Sequence, residues 1–180
     1  MSDPVSGATS LSQIMADIDL GPTGSVQFLF AKLQLAQSEI CKSQAESYMK
    51  QIETIQEEQK LCAEMVEKAR KLQQDAKNGT GDCTWDSHAS VMPQEMVDFY
   101  NERGISFDTC GGQGDYVHNE EEWDYNLKSL TNYQEQIGTK TQTLMVYLQD
   151  FIGQYNSYLQ GANTQISNAN QTLTSIARGQ

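Results

Sequence analysis

Positive charge is scarce in this 180-residue chain. Twelve Lys and Arg stand against 24 Asp and Glu, a formal net charge of −12. Such a balance excludes nucleic acid as a natural partner, because phosphate binding needs clustered cations that release counterions. It also disfavours docking on anionic lipid. Apolar residues make up only 38% of the chain, so a thick core is not expected, although two helices packed face to face could be supplied. Long apolar runs are missing too. The most apolar stretch, Val26 to Leu35, is broken by Gln27, Lys32 and Gln34 and is too short to span a bilayer. Residues 1–24 lack the basic and apolar regions of a secretory signal and are rich in Ser, Thr, Gly and Asp, which reads as disorder. A soluble protein that does not leave by the general secretory route is expected.

Motifs for chemistry are equally sparse. Cys83, His88, Cys110 and His118 are zinc-ligand types, but four, 21 and seven residues separate them, which fits no common zinc module. A disulfide between Cys83 and Cys110 is a candidate, and would matter only in an oxidising space. Cys41 and Cys62 lie three heptads apart on one helix face and read as buried thiols. Neither His88 nor His118 sits beside a nucleophile motif. The acidic run from Asp115 to Asp124 lacks EF-hand spacing, and no Gly-rich phosphate loop follows a strand. No enzymatic activity, metal, cofactor or small-molecule substrate is expected.

What is present is unevenly arranged. Residues 1–30 carry three acids and no base, and residues 31–77 carry eight of each sign. Residues 78–126 hold eleven acids against Arg103 alone, while residues 127–180 hold five charges that sum to +1. Apolar positions from Leu29 through Leu33, Ala36, Ile40, Tyr48, Ile52, Ile55, Cys62, Val66 and Ala69 follow helical spacing. Ser25 is a fair N-cap, Asn78-Gly79 a fair stop, and Glu46→Lys50, Glu64→Lys68 and Glu67→Lys71 are i,i+4 pairs in the favourable order. A second long helix begins at Asn119-Glu120-Glu121-Glu122, which has the form of a capping box.

Within that second helix, Leu127, Leu130, Ile137, Leu144, Leu148, Phe151, Tyr155, Tyr158, Ile166, Leu173 and Ile176 form an apolar seam. From Ile137, with Thr141, Ala162 and Ala169 at the intervening positions, the steps alternate four and three, with one extra residue at 162–166 that locally relaxes a left-handed supercoil. Off the seam, residues 136–180 offer only Lys140, Asp150 and Arg178 among Gln, Asn, Thr, Ser and Gly. A face so poor in charge reads either as a helix packed among copies of itself or as a merely polar exposed surface. Between the helices, Pro93 to Tyr100 reads as a short helix stopped by Gly104, Ile105-Ser106-Phe107 as a short strand, and Cys110 to Gly114 as a turn. The class is all-α, with segments 1–24, 25–77, 78–118 (an irregular acidic middle, a compact head or an exposed loop) and 119–180.

This order of segments resembles the EspA/SseB-type filament proteins of type III secretion systems. The most specific local match is Met92 to Tyr100 followed by Gly104-Ile105-Ser106-Phe107-Asp108, similar to that family's Pro-Glu, amphipathic turn and Gly-Ile stretch. The resemblance implies an uncleaved N-terminal export signal, an antiparallel hairpin or coiled coil of the two long helices, and a cytoplasmic chaperone before export. It further implies a hollow extracellular homopolymer built on the needle, conducting effectors and translocator proteins toward host cells. The seam would be its polymerisation element, and the loop 78–118 would face outward and tolerate variation. A needle-tip protein of the same machinery, or a cytosolic coiled-coil chaperone or adaptor, are the alternatives.

Overall fold

The computed structural model describes residues 11–19, 26–109 and 115–179. Helix accounts for 81% of it, and the long helices pack against each other in a hairpin-like arrangement, so the class is all-α as expected. In chain order the elements are α1 (Leu11–Asp17), α2 (Val26–Lys77), β1 (Ser90–Val91), α3 (Gln94–Arg103), β2 (Val117–His118) and α4 (Glu120–Arg178). No helix among the described residues is long and apolar enough to cross a membrane. The leader, expected to be disordered, contains α1. Ile14, Met15 and Ile18 recur at helical spacing there and are half-buried, which a purely polar leader would not allow. Ser25 and the Cys110–Gly114 turn lie outside the described residues.

The chain divides into two compact units, residues 52–143 and residues 1–51 with 144–180. In the first, α2 ends where Gly79 takes φ +71 and the Thr80 amide donates to the Asp75 carbonyl. α4 begins with the capping box in full: Asn119 Oδ1 accepts from the Glu121 and Glu122 amides at 2.9 and 3.0 Å, and Glu122 Oε2 accepts from the Asn119 amide at 2.8 Å. Between them β1 and β2 pair antiparallel, with Ser90 opposite His118 and Val91 opposite Val117. α3 is stopped by Gly104 at φ +63, where the Ile105 amide donates to the Tyr100 carbonyl.

Part of the middle is therefore a packed head, although Thr84 to His88 are exposed. Met92, Met96, Val97, Phe99 and Tyr100 join Cys62, Met65, Val66 and Ala69 of α2 and Trp123, Leu130 and Ile137 of α4 in one buried core. Each large side chain withdrawn from water there contributes roughly 1.5–3 kcal/mol before the entropy of ordering is counted. Residues 105–107 are not a strand. Their alternating pattern arises because Ile105 and Phe107 turn inward, Phe107 against Tyr100 and Tyr116 with ring centroids 5.4 and 6.2 Å apart.

In the other unit the register is read from Gln34 against Gly161, Cys41 against Gln154 and Tyr48 against Tyr147, an antiparallel pairing of α2 with α4. Its buried positions are mostly small: Ala31, Ala36, Ser38, Cys41 and Ala45 on α2, Ala162 and Ala169 on α4. Small side chains let helices approach closely but withdraw little apolar area from water. Leu29, counted on the α2 stripe from its spacing, is 54% exposed instead.

One glycine is dictated by close approach. The Gly81 amide donates to the Ser87 carbonyl at 2.8 Å, and a Cβ at Gly81 would overlap the carbonyl oxygen of Ala89. Since backbone, not a flexible side-chain end, is in the way, Gly81→Ala should destabilise residues 52–143 by about 1–3 kcal/mol, as overpacking does. Denaturant unfolding checks this; an unchanged midpoint would contradict the close approach.

Candidate functional site

The seam residues fall into three groups. Leu130 and Ile137 are buried in the core of residues 52–143, with Leu127 packed partly against it. Leu144 is buried in the other unit, where Phe151 stacks on Tyr48 at 5.5 Å between ring centroids, and Leu148, Tyr155, Tyr158 and Ile166 are half-buried. Leu173 and Ile176 are exposed. Much of the seam thus pairs within the chain. Gly161 likewise meets Gln34 of the same chain, whereas a Cβ at Gly153 would meet open space.

Spacing along the seam did not reveal a second apolar row. Met145, Val146 and Ile152 are exposed, Val146 at 63%. Met145, Ile152, Leu159, Ile166 and Leu173 recur every seven residues, which would have been the signal for it. After the extra residue at 162–166 this row runs into the seam. Beside it lies a shallow groove of amides and hydroxyls, including Asn156, Gln160, Asn163 and Ser167. Of the fourteen exposed large hydrophobics among the described residues, eleven belong to the unit of residues 1–51 and 144–180. The unit with the poorer core is the one with apolar surface left over.

In residues 52–143 the polar groups hold the middle in place. The Trp123 indole N–H, fully buried, donates to Ser90 Oγ at 2.8 Å, and the Ser90 hydroxyl donates to the Leu72 carbonyl at 2.8 Å. Tyr100 donates to the Asn126 carbonyl, and Asn126 Oδ1 accepts from the Asp108 amide at 2.7 Å. Arg103, the lone base of the acidic middle, forms a two-pronged ion pair with Glu58 of α2 and lies 4.0 Å over the Phe99 ring. Tyr133 also donates to Glu58 at 2.9 Å. Lys68, which spacing alone assigns to Glu64, reaches Glu95 at 2.7 Å, and Lys77 reaches Glu120. Two acids of residues 78–126, Glu95 and Glu120, thus pair with bases of α2.

These contacts set the protonation states. The Arg103 hydrogen bond, helped by Tyr133, holds the Glu58 carboxyl below the usual range despite burial. Burial pushes the Cys62 thiol up to about 11, which leaves it an inert thiol that donates weakly to the Leu130 carbonyl. Burial lowers the His118 imidazole against the opposing pull of Glu122, Asp108 and Asp115.

Of the residues with ligand chemistry, Cys41, Cys62 and Cys83 are buried free thiols. Cys110, and with it the Cys83 pairing, lies outside the described residues. His88 is exposed beside Gly79, and His118 is buried edge-on to Trp123, so Cys83, His88 and His118 do not assemble. The group that does come together among the described residues is Asp108, His118 and Glu122. Trp85 is 77% exposed, unlike its counterpart Trp123. Compared with known proteins, the chain matches no family model, no curated protein and no solved structure.

The Glu58 pair carries a pH signature. A carboxyl held low in the fold contributes stability that is present above its ordinary value, about 4.3, and is lost as pH falls through its lowered one. Glu58→Gln should therefore destabilise residues 52–143 at neutral pH and flatten their loss of stability in acid. Thermal unfolding between pH 7 and pH 3 checks this, and parallel acid profiles for the two proteins would refute it.

Proposed function

We propose that the chain is a structural subunit that assembles with copies of itself through the outer face of α4. The observation that carries this is the concentration of exposed large hydrophobics in the unit whose own helix pairing is built on alanine. A second copy is the occupant that the charge distribution favours. In a molecule of net −12, residues 127–180 carry only five charges that sum to +1, so copies that meet there face little repulsion. The heptad row from Met145 to Leu173 supplies apolar anchors, and the amide groove beside it supplies hydrogen bonding without charge.

Among such assemblies we favour the translocator filament of a type III secretion system, exported without a cleaved signal and kept apart by a chaperone beforehand. The resemblance around Met92 to Asp108 and the neutral C-terminal helix support it. The compact core of residues 52–143 gives a second reading some weight, a needle-tip protein that closes into a small ring, because it supplies a head larger than an irregular loop. Electron microscopy of the purified chain at rising concentration separates the two: filaments support the first, small closed rings the second. A chain that stays monomeric at every concentration would sink both.

Fold and assembly are separable by mutation. Ile152→Asp and Leu173→Asp should leave helix content unchanged and raise the concentration needed for assembly by about tenfold or more, since one lost anchor of about 1.5–3 kcal/mol exceeds the 1.4 kcal/mol of a tenfold change. Ile137→Asp, placed in the core, should instead lower stability. Sedimentation and circular dichroism read the two effects; normal assembly by both surface variants would refute the proposed face.

A further inference from the structure

We infer that Asp108, His118 and Glu122 form a binding site for a divalent transition-metal ion of the zinc class. One donor atom from each lies within 4.8 Å of the others. Ligands about 2.1 Å from a tetrahedral zinc sit about 3.4 Å apart, so side-chain shifts on the order of an ångström close the set around an ion. Three separate segments converge here: the stretch after α3, strand β2 and the first turn of α4.

The imidazole is what distinguishes this place from an ordinary acidic cluster. His118 is 1% exposed, and among the described residues neither ring nitrogen has a hydrogen-bond partner. Its Nδ1 lies 4.0 Å from Glu122 Oε2, too far for a hydrogen bond. Buried polar atoms nearly always find partners, and a bound ion is one way to satisfy a buried ring whose nitrogens are unmet. The ring packs edge-on to Trp123 with centroids 5.2 Å apart.

Each donor is also positioned by contacts of its own. Asn126 Oδ1 accepts from the Asp108 amide, the Ser90–His118 pairing places the imidazole, and the Asn119 amide binds Glu122 Oε2. Such outer contacts are what orient the ligands of a metal. One imidazole nitrogen with two carboxylates is a mixed donor set suited to zinc, manganese or cobalt, whereas calcium and magnesium prefer oxygen alone. Three protein ligands leave one tetrahedral position for water or a further donor. The surrounding residues 78–126, at a net −10, draw a cation toward the site. Once bound, the ion would join the end of the middle segment to the start of α4. The inference does not depend on self-assembly.

The test uses the full chain, stripped with chelator under reducing conditions and titrated with ZnCl2, and separately with MgCl2 and CaCl2, by calorimetry and thermal unfolding. One zinc ion per chain and a raised midpoint are expected, with no comparable shift from magnesium or calcium. Glu122→Gln keeps an oxygen for the Asn119 amide, and Asp108→Asn keeps the backbone contact, so both variants should fold. Each should bind zinc at least about tenfold more weakly, the size of effect seen even for outer contacts. Because the chain has free thiols, cobalt serves as a coloured stand-in, and its spectrum should lack thiolate charge-transfer bands. Thiolate bands, or full zinc affinity retained in the double variant, would overturn the assignment, as would the absence of zinc binding by the unaltered chain.

Discussion

The buried indole of Trp123 is the constraint on which the middle of the molecule depends. Its ring sits at 0% exposure, so its N–H must find an acceptor, and Ser90 is the one that reaches it. Ser90 in turn donates to Leu72, so one relay joins α4, β1 and α2. A two-residue ladder is too short to hold itself together. β1 and β2 persist because Ser90 is pinned from one side by Trp123 and paired on the other with His118. The next residue, Asn119, caps α4 and so returns to the helix that carries Trp123. Placement of the indole therefore fixes where α4 begins and brings His118 beside Glu122.

The two units answer the shortage of apolar residues in different ways. Residues 52–143 spend theirs inward, with Met, Phe, Tyr and Trp from α2, α3 and α4 closing one core. The unit of residues 1–51 and 144–180 has α1 and one segment each of α2 and α4, closes the long pair mostly over alanine, and keeps Phe30, Met145, Val146 and Ile152 in water. A pair of helices presents about half its surface away from the contact whatever its sequence. Apolar residues beyond those needed for the pair have nowhere inward to go, and in residues 144–178 almost no charge stands among them to keep that surface solvated.

The helices were legible because their signals are local. The capping box at Asn119, the Gly104 stop and the acid-rich first turn of α4 each depend on residues within four positions of one another. The pairing of Ser90 with His118 was not legible, since residues 28 apart meet there without alternation or a turn signature. Ile105 to Phe107 misled for the opposite reason: alternation was present, but packing against Tyr100 and Tyr116 rather than a neighbouring strand produced it. Periodicity located the seam of α4 but could not say what faces it, because a stripe looks the same whether it meets α2 or another copy. The Asp108, His118 and Glu122 group was hidden by the same rule: only the folded middle brings the segment after α3 against β2.

Charge gives the clearest reason why the proposed association is directional. Contact between copies through residues 78–126 sets eleven acids against eleven, with one Arg in each already held by Glu58. Contact through residues 136–178 involves three charges per copy. Like charges brought together with water excluded repel more strongly than the same charges in solvent, where salt screens them beyond about 8–10 Å. The acidic middle therefore acts against its own burial between copies, and the neutral helix offers no such resistance. In the proposed assembly, apolar anchors at seven-residue spacing on that helix would add attraction to this lack of repulsion. Uneven charge, which from the net value alone looks like a general obstacle to assembly, would thus favour the proposed face.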